Sequence, residues 1–340
     1  MAEPAATAAS RGSVSLFDPW RHRLALLTSA STLVLIFIGG LVTSTESGLS
    51  VPDWPLSYGM VMPPMVGGVF YEHGHRMAAS FVGFLTLVLA LWTWRREPRA
   101  GVRRLGWLAL LAVCIQGLLG GLTVIYLLPT AISVTHACLA QTFFLLTIAM
   151  AYGTSREWLT AGPLAEDHAG MRGAAFFATG AVYVQLLLGA LMRHLDAGLA
   201  IPDFPLALGR LVPPLGDPRV AVHFAHRVGA LLVLVAILRL YLAARRNGDV
   251  LYGRPARVLL VLITAQIGLG ASVIWTGRAV YWTTAHVATG AAVLGTCFFV
   301  ALRAHRGRFP SSESLGPTTH GAPAAVAPPS HGSTAAGARA

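Results

Sequence analysis

The stretch GLSVPDWPLSYG at residues 48–59 recurs as GLAIPDFPLALG at residues 198–209. Both copies place Pro-Asp-aromatic-Pro between apolar residues, and closely spaced prolines interrupt helix, so the segment reads as one connecting loop written twice. Working outward, the order holds. His75-Arg76 recurs as His226-Arg227, Gln116-Gly117 is echoed by Gln266 and Gly268, and His136 recurs as His286. A shared offset of about 150 residues across loop, glutamine and histidines is the mark of an internal duplication.

Apolar runs flank these loops at about 24–46, 71–94, 105–126, 131–152, 173–195, 220–242, 258–276 and 279–302. Each is near the length, about 20 residues, that crosses a bilayer as a helix with all its backbone groups satisfied internally. The expected fold is an all-α integral membrane protein of eight transmembrane helices in two parallel four-helix-bundle repeats. An even number of spans per repeat gives both copies one orientation. The pseudo-two-fold axis then lies along the membrane normal, unlike the inverted repeats of many transporters.

The expected divisions are a cytoplasmic segment at 1–23, the first repeat at 24–152, a cytoplasmic linker at 153–172, the second repeat at 173–303 and a cytoplasmic tail at 304–340. The tail is rich in Pro, Ser, Ala and Gly and is expected to be disordered. The first 23 residues resemble neither a cleavable signal nor a transit peptide, so the first span is expected to be retained.

Composition agrees. Of 340 residues, 55% are hydrophobic and only 11% charged, about half the charge of a soluble domain. All 25 basic residues are Arg, and the net charge of +11 sits at the ends of spans, which argues against nucleic acid. Arginines crowd the connections after spans 2 and 6 (Arg95, Arg96, Arg99, Arg103 and Arg104; Arg245, Arg246, Arg254 and Arg257). The connections after odd spans hold few, such as Arg210, Arg219 and Arg278. The positive-inside rule then places both termini in the cytoplasm and the repeated loops outside. Cys114, Cys138 and Cys297 fall inside spans, too far apart for a zinc motif, and read as small buried hydrophobes.

Ionisable residues inside a span are costly and mark function by default. Four histidines stand at equivalent places, His75, His136, His226 and His286, each one to two turns from the outer end of an outside-to-inside helix. Zinc or copper generally takes three or four protein ligands. Two imidazoles per bundle suit haem better, because the macrocycle supplies the other four; a proton relay or purely structural histidines is the other reading. Arg76 and Arg227 either pair with haem propionates or snorkel to the interface.

The repeats differ at one informative place: Glu72 precedes His75 by three residues, whereas His223 precedes His226. Positions i and i+3 share a helix face, so each points toward its own pocket. A carboxylate beside one site suggests chemistry there, with Glu72 as acid–base or charge stabiliser, and electron carriage at the other; the competing reading has Glu72 solvated at the interface. Weaker candidates are His73 and His194, with Glu46 and Asp196 matched at the outer ends of spans 1 and 5. His22, His168, His305, His320 and His331 are expected in solvated loops or tails. Glycines at 117–121 and 268–270 are expected to let helices approach closely. Trp54 and Phe204 read as interface anchors, and the loops around them either cover a site or form corners.

The Glu-x-x-His-Arg of Glu72–Arg76, the His-Arg at 226–227, the single histidines of spans 4 and 8 and the repeated Pro-Asp-Trp/Phe-Pro loops together resemble the haem A synthase family over about residues 24–303. That resemblance implies oxidation of the C8 methyl of haem O to a formyl group, by successive hydroxylations with oxygen from water, for terminal oxidases. It implies His75 and His136 flanking the substrate haem O, Glu72 assisting, and His226 and His286 ligating a haem b. It further implies a bacterial plasma membrane, an electron acceptor of unspecified kind, and a haem O synthase as partner. Many bacterial members carry a cysteine pair in the first outer loop; residues 47–70 and 196–219 contain none, so no thiol step at that loop applies. A di-haem b-type membrane electron carrier is the alternative function.

Overall fold

The computed structural model describes residues 17–161, 169–246 and 249–306. Among them, the regular structure is helical: α1 (Pro19–Ser44), α2 (Gly67–Arg96), α3 (Ala100–Ile125), α4 (Thr130–Gly153), short α5 (Arg156–Thr160), α6 (Ala169–His194), α7 (Pro218–Arg246), α8 (Asp249–Trp275) and α9 (Val280–Arg306). All but α5 contain a stretch long and apolar enough to cross a membrane. Their outer faces expose side chains such as Leu111, Phe177, Leu231 and Val261, which in lipid is the expected state of a spanning helix.

Helix packing follows the duplication. Helices α1 to α4 close a ring through the neighbouring pairs α1–α2, α2–α3, α3–α4 and α1–α4; α6 to α9 close the same ring. Between the rings, α1 meets α9, α4 meets α6, and α4 meets α9. Exchanging the halves turns the first contact into the second and leaves the third unchanged, as a two-fold relation requires. The second bundle packs around one continuous core that includes Val182, Ile237, Leu240, Leu259 and Leu294. The first has separate clusters, Leu89 with Met150 and Val82 with Phe143.

The helices outrun the apolar stretches that announce them. Asp18 caps α1 by accepting from the Trp20 and Arg21 amides at 3.1 and 3.2 Å, and Pro19 at the first position needs no amide partner, so α1 starts five residues before the expected 24. Within the expected linker, Ser155 caps α5 and α6 already begins at Ala169. Residues 1–16, 162–168 and 307–340 of the expected terminal and linker segments lie outside the described residues, with His168, His320 and His331.

The expected tail boundary moves too. Helix α9 continues through Arg306, whose buried guanidinium donates to the carbonyls of Trp158 and Ala161 at 2.7 and 2.6 Å. Arg303 pairs with Glu157 of α5. A polar sequence past residue 303 thus stays helical because α5 supplies its partners. His22 and His305 are likewise not loop residues: His22 lies in α1 beside the Thr154 hydroxyl (3.2 Å), and His305 in α9 packs edge-on to Phe176.

At the arginine-rich end of the first bundle, Arg21, Glu97 and Arg99 form a buried cluster. Arg21 stands 3.0 Å from the Glu97 carboxylate, Arg99 grips it at 2.7 and 2.9 Å, and Arg99 also donates to Gly153 O. Burial pushes the Glu97 carboxyl up; hydrogen bonds from Arg99 and the charge of Arg21 more than offset this and hold it below the ordinary carboxylate value. Its contribution is therefore present at neutral pH and is lost as pH falls through that depressed value. Glu97→Ala strands two arginines and is expected to cost about 3–5 kcal/mol, read as a lower unfolding midpoint in detergent; an unchanged midpoint would mean the cluster is not stabilising.

Candidate functional site

Both repeated loops fold back onto the end of their bundle that carries the histidines. In each, an aspartate closes a tight turn: Asp53 accepts from the Tyr58 and Gly59 amides at 2.6 and 2.8 Å, and Asp203 from Leu208 and Gly209 at 2.7 and 2.8 Å. Those turns put two consecutive residues at positive φ, Tyr58-Gly59 and Leu208-Gly209, the backbone of a type I′ turn. The Gly59 and Gly209 amides, first among the causes, hold Asp53 and Asp203 below the usual carboxylate range. Glu46 and Asp196 also take positive φ just after α1 and α6, so their common role is to end those helices.

The loops are inserted rather than merely interfacial. Val51 and Ile201 are fully buried. The Trp54 indole lies on Gly121 of α3, where a Cβ would come within 2.5 Å of the ring. Phe204 packs edge-on to Trp275 and receives Arg227 over its face. The glycine stretches therefore differ from expectation: Gly121 admits a loop tryptophan, Gly120 and Gly270 admit histidines, and Gly117 and Gly268 have open space beside them. The pattern that suggested helix–helix approach reflects side chains seated on helix backbone.

The arginines that follow the histidines hold the loops. Arg76 donates to the Asp53 and Leu56 carbonyls at 2.7 and 2.8 Å and pairs with Glu72 at 2.7 Å. Arg227 donates to the Leu206 and Ile201 carbonyls at 2.8 and 2.9 Å.

Glu72 is buried, 4% exposed, with one oxygen on Arg76 and the other accepting the Val51 amide at 2.8 Å. The reading that left it solvated at the interface is thereby corrected. In the second half, His223 meets the equivalent Ile201 amide at 3.3 Å and Ala197 O at 3.1 Å. The two side chains thus share a loop-anchoring contact, and only the first brings a carboxylate. His73, a weak candidate by sequence, is buried with its Nδ1 2.8 Å from Ser57 Oγ; the second half has Phe224 and Ala207 there. Cys114 is exposed on α3, against the expectation of burial; Cys138 is partly and Cys297 fully buried.

The four matched histidines occupy the same depth. His75 and His226 are the ninth residues of α2 and α7, His136 and His286 the seventh of α4 and α9, about 9–12 Å in from the helix start at 1.5 Å per residue. Each ring edge rests on a glycine of the neighbouring helix. A Cβ at Gly39, Gly120 or Gly189 would lie 3.2 Å from Cε1 of His75, His136 or His226, and one at Gly270 3.1 Å from that of His286. The His226 and His286 rings meet edge to face, tilted 63° to one another, with centroids 6.4 Å apart.

Three glutamines complete the setting, of which the sequence marked Gln116 and Gln266 only as part of the repeat and Gln185 not at all. The side-chain amide nitrogens of Gln116, Gln185 and Gln266 lie 3.3, 3.1 and 3.4 Å from a ring nitrogen of His136, His226 and His286. Each glutamine stands four residues before the glycine that seats the same histidine, so a thrice-repeated Gln-x-x-x-Gly was the available signal. A cleft of about 500 Å³ between α1, α4 and α9, lined by residues such as Leu26, Ile148 and Tyr152, lies at the opposite, arginine-rich end and contains none of these histidines.

The chemistry of the donors fits haem. Among the described residues no group of three His, Cys, Asp or Glu side chains is placed to hold a metal ion unaided. Two opposed imidazoles suit a metal that brings its own in-plane ligands. The 6.4 Å between the His226 and His286 ring centroids is of the order that one metal held by both rings would need, at about 2 Å per metal–nitrogen bond. The Nδ1 atoms of His75, His136 and His286 are buried without a hydrogen-bond partner, a costly state that ligand binding or its attendant proton would relieve.

Comparison with known proteins converges on the same answer. The sequence model of the cytochrome oxidase assembly protein family matches residues 22–67 and 66–298. The Heme A synthase of Symbiobacterium thermophilum is 35% identical over 260 residues, covering 73% of this chain and 83% of the relative. This chain belongs to the haem A synthase family. Other Heme A synthases, from Halalkalibacterium halodurans and Alkalihalophilus pseudofirmus, are 29% and 31% identical and cover 81% and 75% of the chain. The matched region takes in both loops and all four histidines. The family resemblance read from the motifs therefore stands, as does the eight-helix membrane fold.

Proposed function

We propose that this chain is a haem A synthase: a membrane oxidoreductase that converts the C8 methyl of haem O to a formyl group. The observation that carries the reading is the pairing of four intramembrane histidines in two like bundles, with a buried carboxylate, Glu72, in only one. Two hydroxylations, each taking oxygen from water and releasing two electrons and two protons, give a geminal diol. Loss of water leaves the aldehyde of haem A. The electrons require an acceptor, and a haem O synthase is the fitting supplier of substrate.

In this reading His75 and His136 flank haem O, and His226 and His286 hold a resident haem b that supplies electron transfer when bound. Glu72 already accepts two hydrogen bonds, yet an ionised carboxylate has about four acceptor sites. It therefore retains capacity to take a proton from the attacking water or to offset positive charge developing on the substrate. Arg76 and Arg227 clamp the loops at the histidine-bearing end of each bundle and are the cations we assign to haem propionates.

The excess of arginine at the opposite ends of the spans supports termini on the cytoplasmic side, here of a bacterial plasma membrane, with both sites toward the outer face. All four histidines at one end of the helices speak against a di-haem carrier that passes electrons across the bilayer. The test is to co-express the protein with a source of haem O, purify it, and identify the extracted haems by chromatography and mass. Haem A or hydroxylated haem O beside haem b is the expected result. Unmodified haem b alone, with haem O plentiful, would favour the electron carrier.

A further inference from the structure

The four histidine seats are built to one plan with a single omission. Each ring edge rests on a glycine, Gly39, Gly120, Gly189 or Gly270, and the residue one turn earlier on that helix is Leu35, Gln116, Gln185 or Gln266 respectively. The three glutamines lie against their histidines. Gln116 and Gln185 also donate to the backbone carbonyls of His136 and His226 at 2.9 and 2.8 Å, pinning the helix turn that bears each ring. Leu35 offers His75 no polar atom.

In the His226 seat the backbone also makes room for the amide. Gly229, three residues after His226, lies so close to Gln185 Oε1 that a Cβ there would overlap it; the matching residue after His75 is Ala78. The carbonyl oxygens of all three glutamines are buried and lack a donor. An imidazole that binds metal through one nitrogen carries its proton on the other and hands it to a nearby acceptor, which fixes the ring and raises its strength as a ligand. Gln266, whose amide nitrogen makes no bond to a backbone carbonyl, can turn its amide over and bring such an acceptor to His286, while Gln116 and Gln185 fix the turn that bears the ring. Three seats thus have a glutamine behind the histidine, and the His75 seat has none.

We infer that His75 is the exchangeable ligand of the four, a displaceable contact through which substrate haem enters and product haem leaves, while the glutamine-backed His136, His226 and His286 are fixed. This rests on the haem A synthase reading, because only an enzyme whose substrate is itself a haem needs one weak axial contact. Gln185 and its counterparts act as positioning residues. The asymmetry puts the weak seat in the half that also contains Glu72, so turnover and exchange share one bundle.

The test uses full-length protein in detergent, loaded with haem b at both sites, and follows haem transfer to excess apomyoglobin by absorbance. Wild type is expected to release haem in a fast and a slow phase. Gln266→Leu should speed the slow phase roughly tenfold to a hundredfold, the usual cost of removing a partner behind a metal-bound histidine, and shift the reduction potential of that haem; Gln266→Glu, which keeps an acceptor, should restore both. The paired change Leu35→Gln with Ala78→Gly adds a partner rather than removing one, and should slow the fast phase with little effect on folding. Two phases that neither change moves would overturn the inference alone. A wild-type protein that takes up no haem would instead overturn the functional reading beneath it.

Discussion

Glu72→Gln is expected to lower haem A formation by about two to four orders of magnitude while haem b stays bound and the fold is retained. The structure explains why Gln is the informative substitution. Glu72 has two duties: one oxygen accepts the Val51 amide, and the charge pairs with Arg76. Glutamine retains an acceptor for Val51 and removes the charge, so the loop stays anchored while the carboxylate chemistry is lost. Glu72→Ala removes both and should add a looser loop to the same loss of product. The measurement is haem A per polypeptide beside haem b content in the same preparations. Full conversion by Glu72→Gln would leave Glu72 as a loop anchor only, the part His223 already plays in the second half.

His226→Ala and His286→Ala are each expected to weaken retention of the resident haem by more than about a hundredfold. Replacing even a residue behind a ligand costs that order, and the ligand itself should cost no less. Both positions are backed by glycine on the neighbouring helix, so alanine leaves a gap that no adjacent side chain fills. Haem per polypeptide after gel filtration, read from the reduced absorbance spectrum, is the measurement. A doubly substituted protein with undiminished haem b would show that the second bundle is not its site.

The sequence made the architecture readable because lipid imposes two plain requirements, apolar length and satisfied backbone, and because duplication let each half check the other. His75, His136, His226 and His286 stood out for the same reason: charge-bearing groups inside a span need a purpose. What lay hidden depended on which side chain meets which backbone. Gly120 and Gly121, adjacent in sequence, turn to different partners, a histidine and the tryptophan of a distant loop. No periodicity reveals that, since the loop's path sets it. Arg76 looked equally suited to a propionate or to the interface because its contacts with Asp53 and Leu56 exist only once the loop has folded back. The helical end at Arg306 was hidden similarly, its partners lying on α5 nearly 150 residues away.

The way α1 meets α9, α4 meets α6 and α4 meets its own counterpart has a historical meaning. A single four-helix chain could make every one of these contacts with a second copy of itself, which is the pattern that fusion of a homodimer's two copies would leave. A homodimer must carry the same residue at both seats, and any change that opens one opens the other. Once two copies are fused in one chain, that constraint is gone. Leu35 against Gln185, and Glu72 against His223, record where the descendants were free to part.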